Sequence, residues 1–295
     1  MGFRIRTNVA ALRAKRNLSE TTRSLRDNME KLSSGFRINK SADDAAGLAI
    51  SDTLNSKIRS MDQAKRNAMD GVSLIQVAEG SMNEITNILI RLRELSTQAA
   101  SDTISNLERS YTNKEYTQLV EEIDRIANST EFNGISLLKG SEYNNFDEPE
   151  LVIHVGAGAA LEPNTDTIAI NIDKIMIDSE NVLQLGKEAE VGPMEPGEDF
   201  QRNIAAEKLT IIDKAIKTVA GNRAILGSKQ SRLTSTINNL GVQLENMSTS
   251  KSRIKDVDFA AATADFTQFR ILGQAGASVL AQANSIPQLA LGLIQ

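Results

Sequence analysis

The chain has 295 residues, a formal net charge of −5, 40% hydrophobic residues, 4% aromatic residues, no cysteine and no tryptophan. Without cysteine there are no disulfides, no thiolate zinc sites and no thiol nucleophile. The single histidine, His154, excludes multi-histidine metal sites, and so few aromatic anchors argue against an ordinary globular enzyme core.

Residues 3–33 read as a helix. Ile5, Val9 and Leu12 share one face, and a row of Leu18, Leu25 and Leu32 at sevens continues it after a shift in phase. Residues 1–40 carry ten Lys/Arg against three Asp/Glu, a local charge of +7. Such a helix could meet nucleic acid or anionic lipid, but with no aromatic residue interleaved beyond Phe3 and Phe36 it reads as a solvated face. Residues 1–18 contain no apolar run of the length a cleavable signal needs, so export would require another route. Gly35 suits a helix stop, and Ser41 is the expected cap of the next helix, with Asp43 and Asp44 in its first turn.

The next predicted helix covers about residues 43–99. One heptad position holds Leu54, Met61, Ala68, Ile75, Met82 and Leu89. The partner position holds Ile50, Ala64, Ala78, Ile85, Leu92 and Ala99, interrupted by Lys57 and Gly71. A 3.5-residue repeat over so many turns is a coiled-coil seam, and at 1.5 Å per residue the helix would be roughly 85 Å long. A shorter helix is expected over 107–129, with Tyr116, Leu119, Val120, Ile123, Ile126 and Ala127 inward, and Phe132-Asn133-Gly134 marks a tight turn.

The β signal is confined to Leu151–Val155 and Thr167–Ile172, read as a hairpin. Gly156 and Gly158 sit in its loop with no crossover helix behind them, which discounts a dinucleotide site. Residues 186–200, rich in Gly and Pro, read as a linker. A second long helix follows from about Asp199 to Ile254, with Ile212, Val219, Leu226, Leu233, Leu240, Met247 and Ile254 at successive sevens. Leu209, Ile216, Ile237 and Leu244 take the partner position. The tail, 256–295, is apolar on more than one face. Leu272, Val279, Ile286 and Leu293 belong to one stripe and Leu280 to another.

The expected fold is therefore mainly α, with a small β-hairpin near 151–172 and two long seams that pair antiparallel within the chain as a coiled-coil rod or else pair with other chains. Apolar stripes left open at both ends, at Ile5, Val9, Leu12, Leu272, Val279, Leu280, Ile286 and Leu293, mark a self-assembly surface. Burying such stripes by non-closing contacts between copies produces a filament. No catalytic constellation, cofactor site or metal site is expected, and no run is long enough to span a bilayer.

Specific motifs say more. LSSGFRINKSADDAAGLAIS (32–51) resembles the most recognisable segment of bacterial flagellin, with Ser41 replacing the usual Ala. Asn67–Gly80, RLRELSTQA (91–99) and EIDRIANSTEFNG (122–134) resemble further signatures of that family. So do NRAILGSKQSRL (222–233), ENMSTSKSRIKDVDFA (245–260) and SVLAQAN (278–284).

The resemblance implies a structural, non-enzymatic subunit of the extracellular flagellar filament, exported without a cleaved signal peptide. It implies a long antiparallel coiled-coil rod at 44–254 as the outer part, and paired N- and C-terminal helices, 1–43 with 255–295, lining an inner tube. The implied partners are further copies of the chain, a flagellin export chaperone, hook-associated and cap proteins, and a host toll-like innate receptor at Arg91, Leu95 and Glu115. Neither nucleic acid nor membrane insertion is implied. The rival readings are a hook–filament junction protein and an intracellular coiled-coil scaffold. Both termini are further expected to be disordered in the free subunit and to become helical as neighbouring copies bury them.

Overall fold

A computed structural model describes residues 7–141, 150–158, 166–179, 182–185 and 202–292. The linker expected at 186–200 lies outside them. Among the described residues the order is α1 (Val9–Ser34), α2 (Ala45–Ala99), α3 (Asn106–Ser129), β1 (Glu131–Phe132), β2 (Ile135–Ser136), β3 (Glu150–His154), β4 (Thr167–Asn171), a 3-10 turn (Asp173–Ile175), α4 (Arg202–Lys255) and α5 (Phe259–Gly292). The chain divides into two compact units, Met1–Ile58 with Glu245–Gln295 and Arg59–Leu244. That division lies within α2 and α4, inward of the residue 44 and residue 254 boundaries expected from sequence.

The unit Arg59–Leu244 is built on the two heptad rows. Ala68, Ile75, Met82 and Leu89 of α2 and Ile212, Val219, Leu226 and Leu233 of α4 are all buried in one core. Their direction is set by cross-pairs: Arg93 Nε lies 2.8 Å from Asp213 Oδ1, and Arg223 lies 3.7 Å from Glu79. Moving down α2 moves up α4, so the helices run antiparallel, as the coiled-coil reading expects.

Gly71, expected as an interruption of the seam, is a working part of it. A Cβ there would stand 2.5 Å from Ile153 Cδ1 and 3.3 Å from Leu233 Cδ1. The missing side chain lets β3 sit on the helix. Asn67 helps by donating to the His154 carbonyl at 3.0 Å. The hairpin pairs Leu151 with Ile170 and Ile153 with Ile168, and turns Ile168 and Ile170 into the core.

α3 begins with a full capping box. The Ser105 hydroxyl accepts from the Glu108 N–H, and Glu108 Oε2 accepts from the Ser105 N–H at 2.7 Å. The Ser105 N–H, joined by the Ser105 hydroxyl, holds the Glu108 carboxyl below its ordinary range. Arg109, buried, donates to the Ala99 and Ser101 carbonyls at 3.0 and 2.7 Å and so closes the open end of α2. The turn at Asn133-Gly134, both at positive φ, joins β1 to β2. This second, two-residue hairpin is an addition to the single hairpin read from sequence, because strands so short leave no alternation to detect.

In the other unit Asn8 caps α1 at Val9, later than the expected start, by accepting from the Ala11 N–H at 3.0 Å. Gly35 ends α1 at φ +75, as expected. The cap of α2 is Asp44, not Ser41: its Oδ1 accepts from the Gly47 N–H at 2.8 Å, and Ser41 is exposed. Asp43 folds back instead, accepting from the Asn39 and Lys40 N–H groups, both at 3.0 Å. These bonds hold its carboxyl below the usual range. The seam at the start of α2 also differs from the sequence reading. Ser51 is fully buried while Ile50 is 52% exposed, because Gly47, one turn earlier, closes against Ile38 and sets the phase.

Candidate functional site

The terminal helices α1 and α5 pack antiparallel. Asn8 Nδ2 donates to the Ala283 carbonyl at 2.7 Å, Leu18 meets Gly276, and Phe259 approaches Gly35. One end of this pair, where α1 stops and α5 starts, is tied by the joints that flank it. The Arg37 N–H and its guanidinium donate to the Lys255 and Ile254 carbonyls at 2.7 and 2.8 Å, and the Val257 N–H donates to the Gly35 carbonyl at 3.0 Å. Lys255 Nζ sits 5.0 Å from the centre of the Phe36 ring.

The pairing seam follows heptads on both helices. On α1 the less exposed positions include Ala11, Ala14, Leu18, Leu25, Asn28 and Leu32; on α5 they include Ala262, Phe266, Phe269, Gly276, Leu280 and Ala283. Leu280, expected on the assembly stripe, therefore lies on the intramolecular seam. The reason is its spacing: it falls four residues after Gly276 and three before Ala283, both of which touch α1. Asn28 is buried on the seam, and its Oδ1 has no hydrogen-bond partner.

The pair leaves large apolar side chains on its outside. Val9, Leu12, Leu272 and Val279 are 48%, 58%, 46% and 56% exposed. Phe259 and Ile271 join them. The side chains of Ile5, Ile286 and Leu293 lie outside the described residues. Among the described residues no helix is long and apolar enough to cross a membrane, and no cluster of metal-ligating side chains is present.

Residues 5–143 match the bacterial flagellin N-terminal helical region, and residues 209–294 match the bacterial flagellin C-terminal helical region. A flagellin from Halalkalibacterium halodurans is 38% identical over 291 residues, covering 99% of both chains. The chain belongs to the bacterial flagellin family. A second flagellin, from Bacillus subtilis, is 40% identical and covers 99% of this chain and 100% of its own. The structure of a protein described as flagellar hook-associated, from Vibrio parahaemolyticus, superposes with a TM-score of 0.58 over 72% of this chain at 14% identity, which shows a shared fold. As a flagellin, the chain is a structural subunit that polymerises into the flagellar filament, as its sequence led us to expect. Nothing favours the junction-protein or scaffold readings.

The three residues expected at a receptor do not form one surface in this flagellin. Arg91 and Glu115 are exposed and joined, Nη2 to Oε1 at 2.7 Å, and Arg91 also reaches Glu94 at 3.1 Å. Leu95 is 2% exposed, inside the core. The i, i+4 spacing places Arg91 and Leu95 on adjoining lines of α2, but the core takes the line that carries Leu92, Leu95 and Ala99.

Proposed function

We propose that the α1–α5 pair is the part of this flagellin that holds copies together in the filament. The observation that carries the reading is the exposure of Val9, Leu12, Leu272 and Val279 on helices whose other faces already pack on each other. Covering the exposed half of each such side chain is worth about 1 kcal/mol, repeated at every subunit. A closed pair would gain this once; an open series of identical contacts gains it along a filament.

The decisive variant is Val279→Asp. It places a carboxylate where apolar contact is needed, and an unpaired buried charge costs about 3–5 kcal/mol. Electron microscopy of the purified variant should show no filaments, while circular dichroism retains the helical signal of the wild type. Normal filaments from Val279→Asp would refute the proposal.

A further inference from the structure

Asn133 and Gly134 form the exposed two-residue turn between β1 and β2. Their φ values are +52° and +78°, the pattern of a type I′ turn. A Cβ on Gly134 would meet nothing within 4 Å, so the glycine is there for its backbone conformation, and its nitrogen is left unhindered. That nitrogen directly follows an asparagine side chain, and the two can react with each other. The Gly134 nitrogen gives up its proton to water and bonds to Asn133 Cγ; the Cγ–Nδ2 bond breaks and ammonia leaves. Water then opens the resulting five-membered imide. Cleavage of the new Cγ–N bond yields aspartate. Cleavage of the original C–N bond yields isoaspartate, in which the main chain runs through Cβ and Cγ. The sequence needs no oxidant and no cofactor.

The folded turn opposes this reaction. In a type I′ turn ψ of the first central residue is about +30°, which sets the Gly134 nitrogen almost opposite Asn133 Cβ across the Cα–C bond. Ring closure needs the two on the same side, so the turn must open first. Opening is resisted by the residues that flank the turn. The Leu137 N–H donates to the Thr130 carbonyl at 3.1 Å, and the Leu138 carbonyl accepts from the Ile177 N–H at 2.9 Å. Both leucine side chains are buried in the core.

We propose that Asn133 is a site of spontaneous deamidation gated by folding: open to reaction in the unfolded chain, shielded once β1 and β2 have closed. The two products differ in consequence. Aspartate tolerates the left-handed conformation, so the turn survives with one added negative charge. Isoaspartate inserts an extra main-chain carbon into a turn built for two residues. Loop length fixes register in a hairpin, so the pairing of Phe132 with Ile135 is lost. A chain that forms isoaspartate before it folds cannot close this hairpin, whereas a chain that folds promptly keeps it.

Mass spectrometry of the tryptic peptide 126–139 from the full chain tests this. In guanidinium chloride at mildly alkaline pH, Asn133 should convert to aspartate and isoaspartate well ahead of Asn128, which precedes Ser129 in the same peptide. In native buffer at the same pH and temperature the conversion should be slower by about tenfold or more, equivalent to an opening free energy of at least about 1.4 kcal/mol. Absence of conversion in denaturant would overturn the site, and equal rates in the two conditions would overturn the gate. Partly converted chains, refolded and followed by hydrogen exchange on the separated isoaspartate and aspartate peptides, test the consequence. The Leu137 amide should exchange fast in the isoaspartate form and stay protected in the aspartate form. Equal protection in both would overturn the loss of the hairpin.

Discussion

Tyr116 heads the fully buried side chains of the described core, and its phenol oxygen is buried without a hydrogen-bond partner. Burial also pushes the phenol pKa up, since the anion has no solvation there. A buried hydroxyl left unpaired costs about 1–3 kcal/mol, whereas the ring contributes through packing alone. Tyr116→Phe keeps the ring and removes the orphan. Urea unfolding of the variant should therefore give stability equal to the wild type or higher by up to about 1–3 kcal/mol; a clear loss would mean that the hydroxyl has a partner. Arg109 is the contrasting residue. It is also buried but spends its guanidinium on the carbonyls of Ala99 and Ser101 and on Asn106 Oδ1, so its burial is compensated.

Helix α2 shows why a seam is more than a row of large apolar groups. At Gly71 the row opens to admit Ile153 from β3, and Leu233 of α4 borders the same gap. Gly71→Val would fill the seat with a β-branched side chain. Ile153 would have to withdraw, and overpacking of this kind costs about 1–3 kcal/mol. The expected result is a lower urea midpoint with an unchanged slope, together with weaker protection of the β3–β4 amides. An unchanged midpoint would show that the hairpin is not seated on this glycine. In the terminal pair Asn28 plays the opposite part: it keeps a polar atom on the seam, a device that restricts register at some cost in stability.

At the scale of the whole molecule the two units differ in how much apolar surface they enclose. The core of Arg59–Leu244 gathers fully buried Ile and Leu side chains from two long helices, while α5, 34 residues long, buries Ala262 and Ala283 among its described side chains. Ordering each backbone residue costs about 1–2 kcal/mol, and α5 recovers little of it inside one subunit. Amide exchange along the described part of α5 should therefore be fast in the free subunit and slow in the filament, with the α2 and α4 amides near Met82 and Val219 protected in both. Equal protection of α5 in both states would count against folding coupled to assembly.

The sequence alone determined the long helices, their heptad seams, the joint at Gly35 and the family, because heptad spacing, a positive-φ stop and contiguous motifs are local properties of the chain; that the two seams meet each other antiparallel is decided by the tertiary pairs Arg93–Asp213 and Arg223–Glu79. It could not decide which of two neighbouring lines on a helix faces inward. Ser51 rather than Ile50 lies in the α2 seam, Leu95 is enclosed beneath Arg91, and Leu280 faces α1 while Leu272 and Val279 remain outside. Each of these choices is made by a partner element: Gly47 closing on Ile38, the core filled by Leu92 and Ala99, and α1 meeting Gly276 and Ala283. Hydrophobicity along one helix measures how much surface seeks burial; only the helix packed against it settles which part is buried within the subunit and which part is left for the next copy.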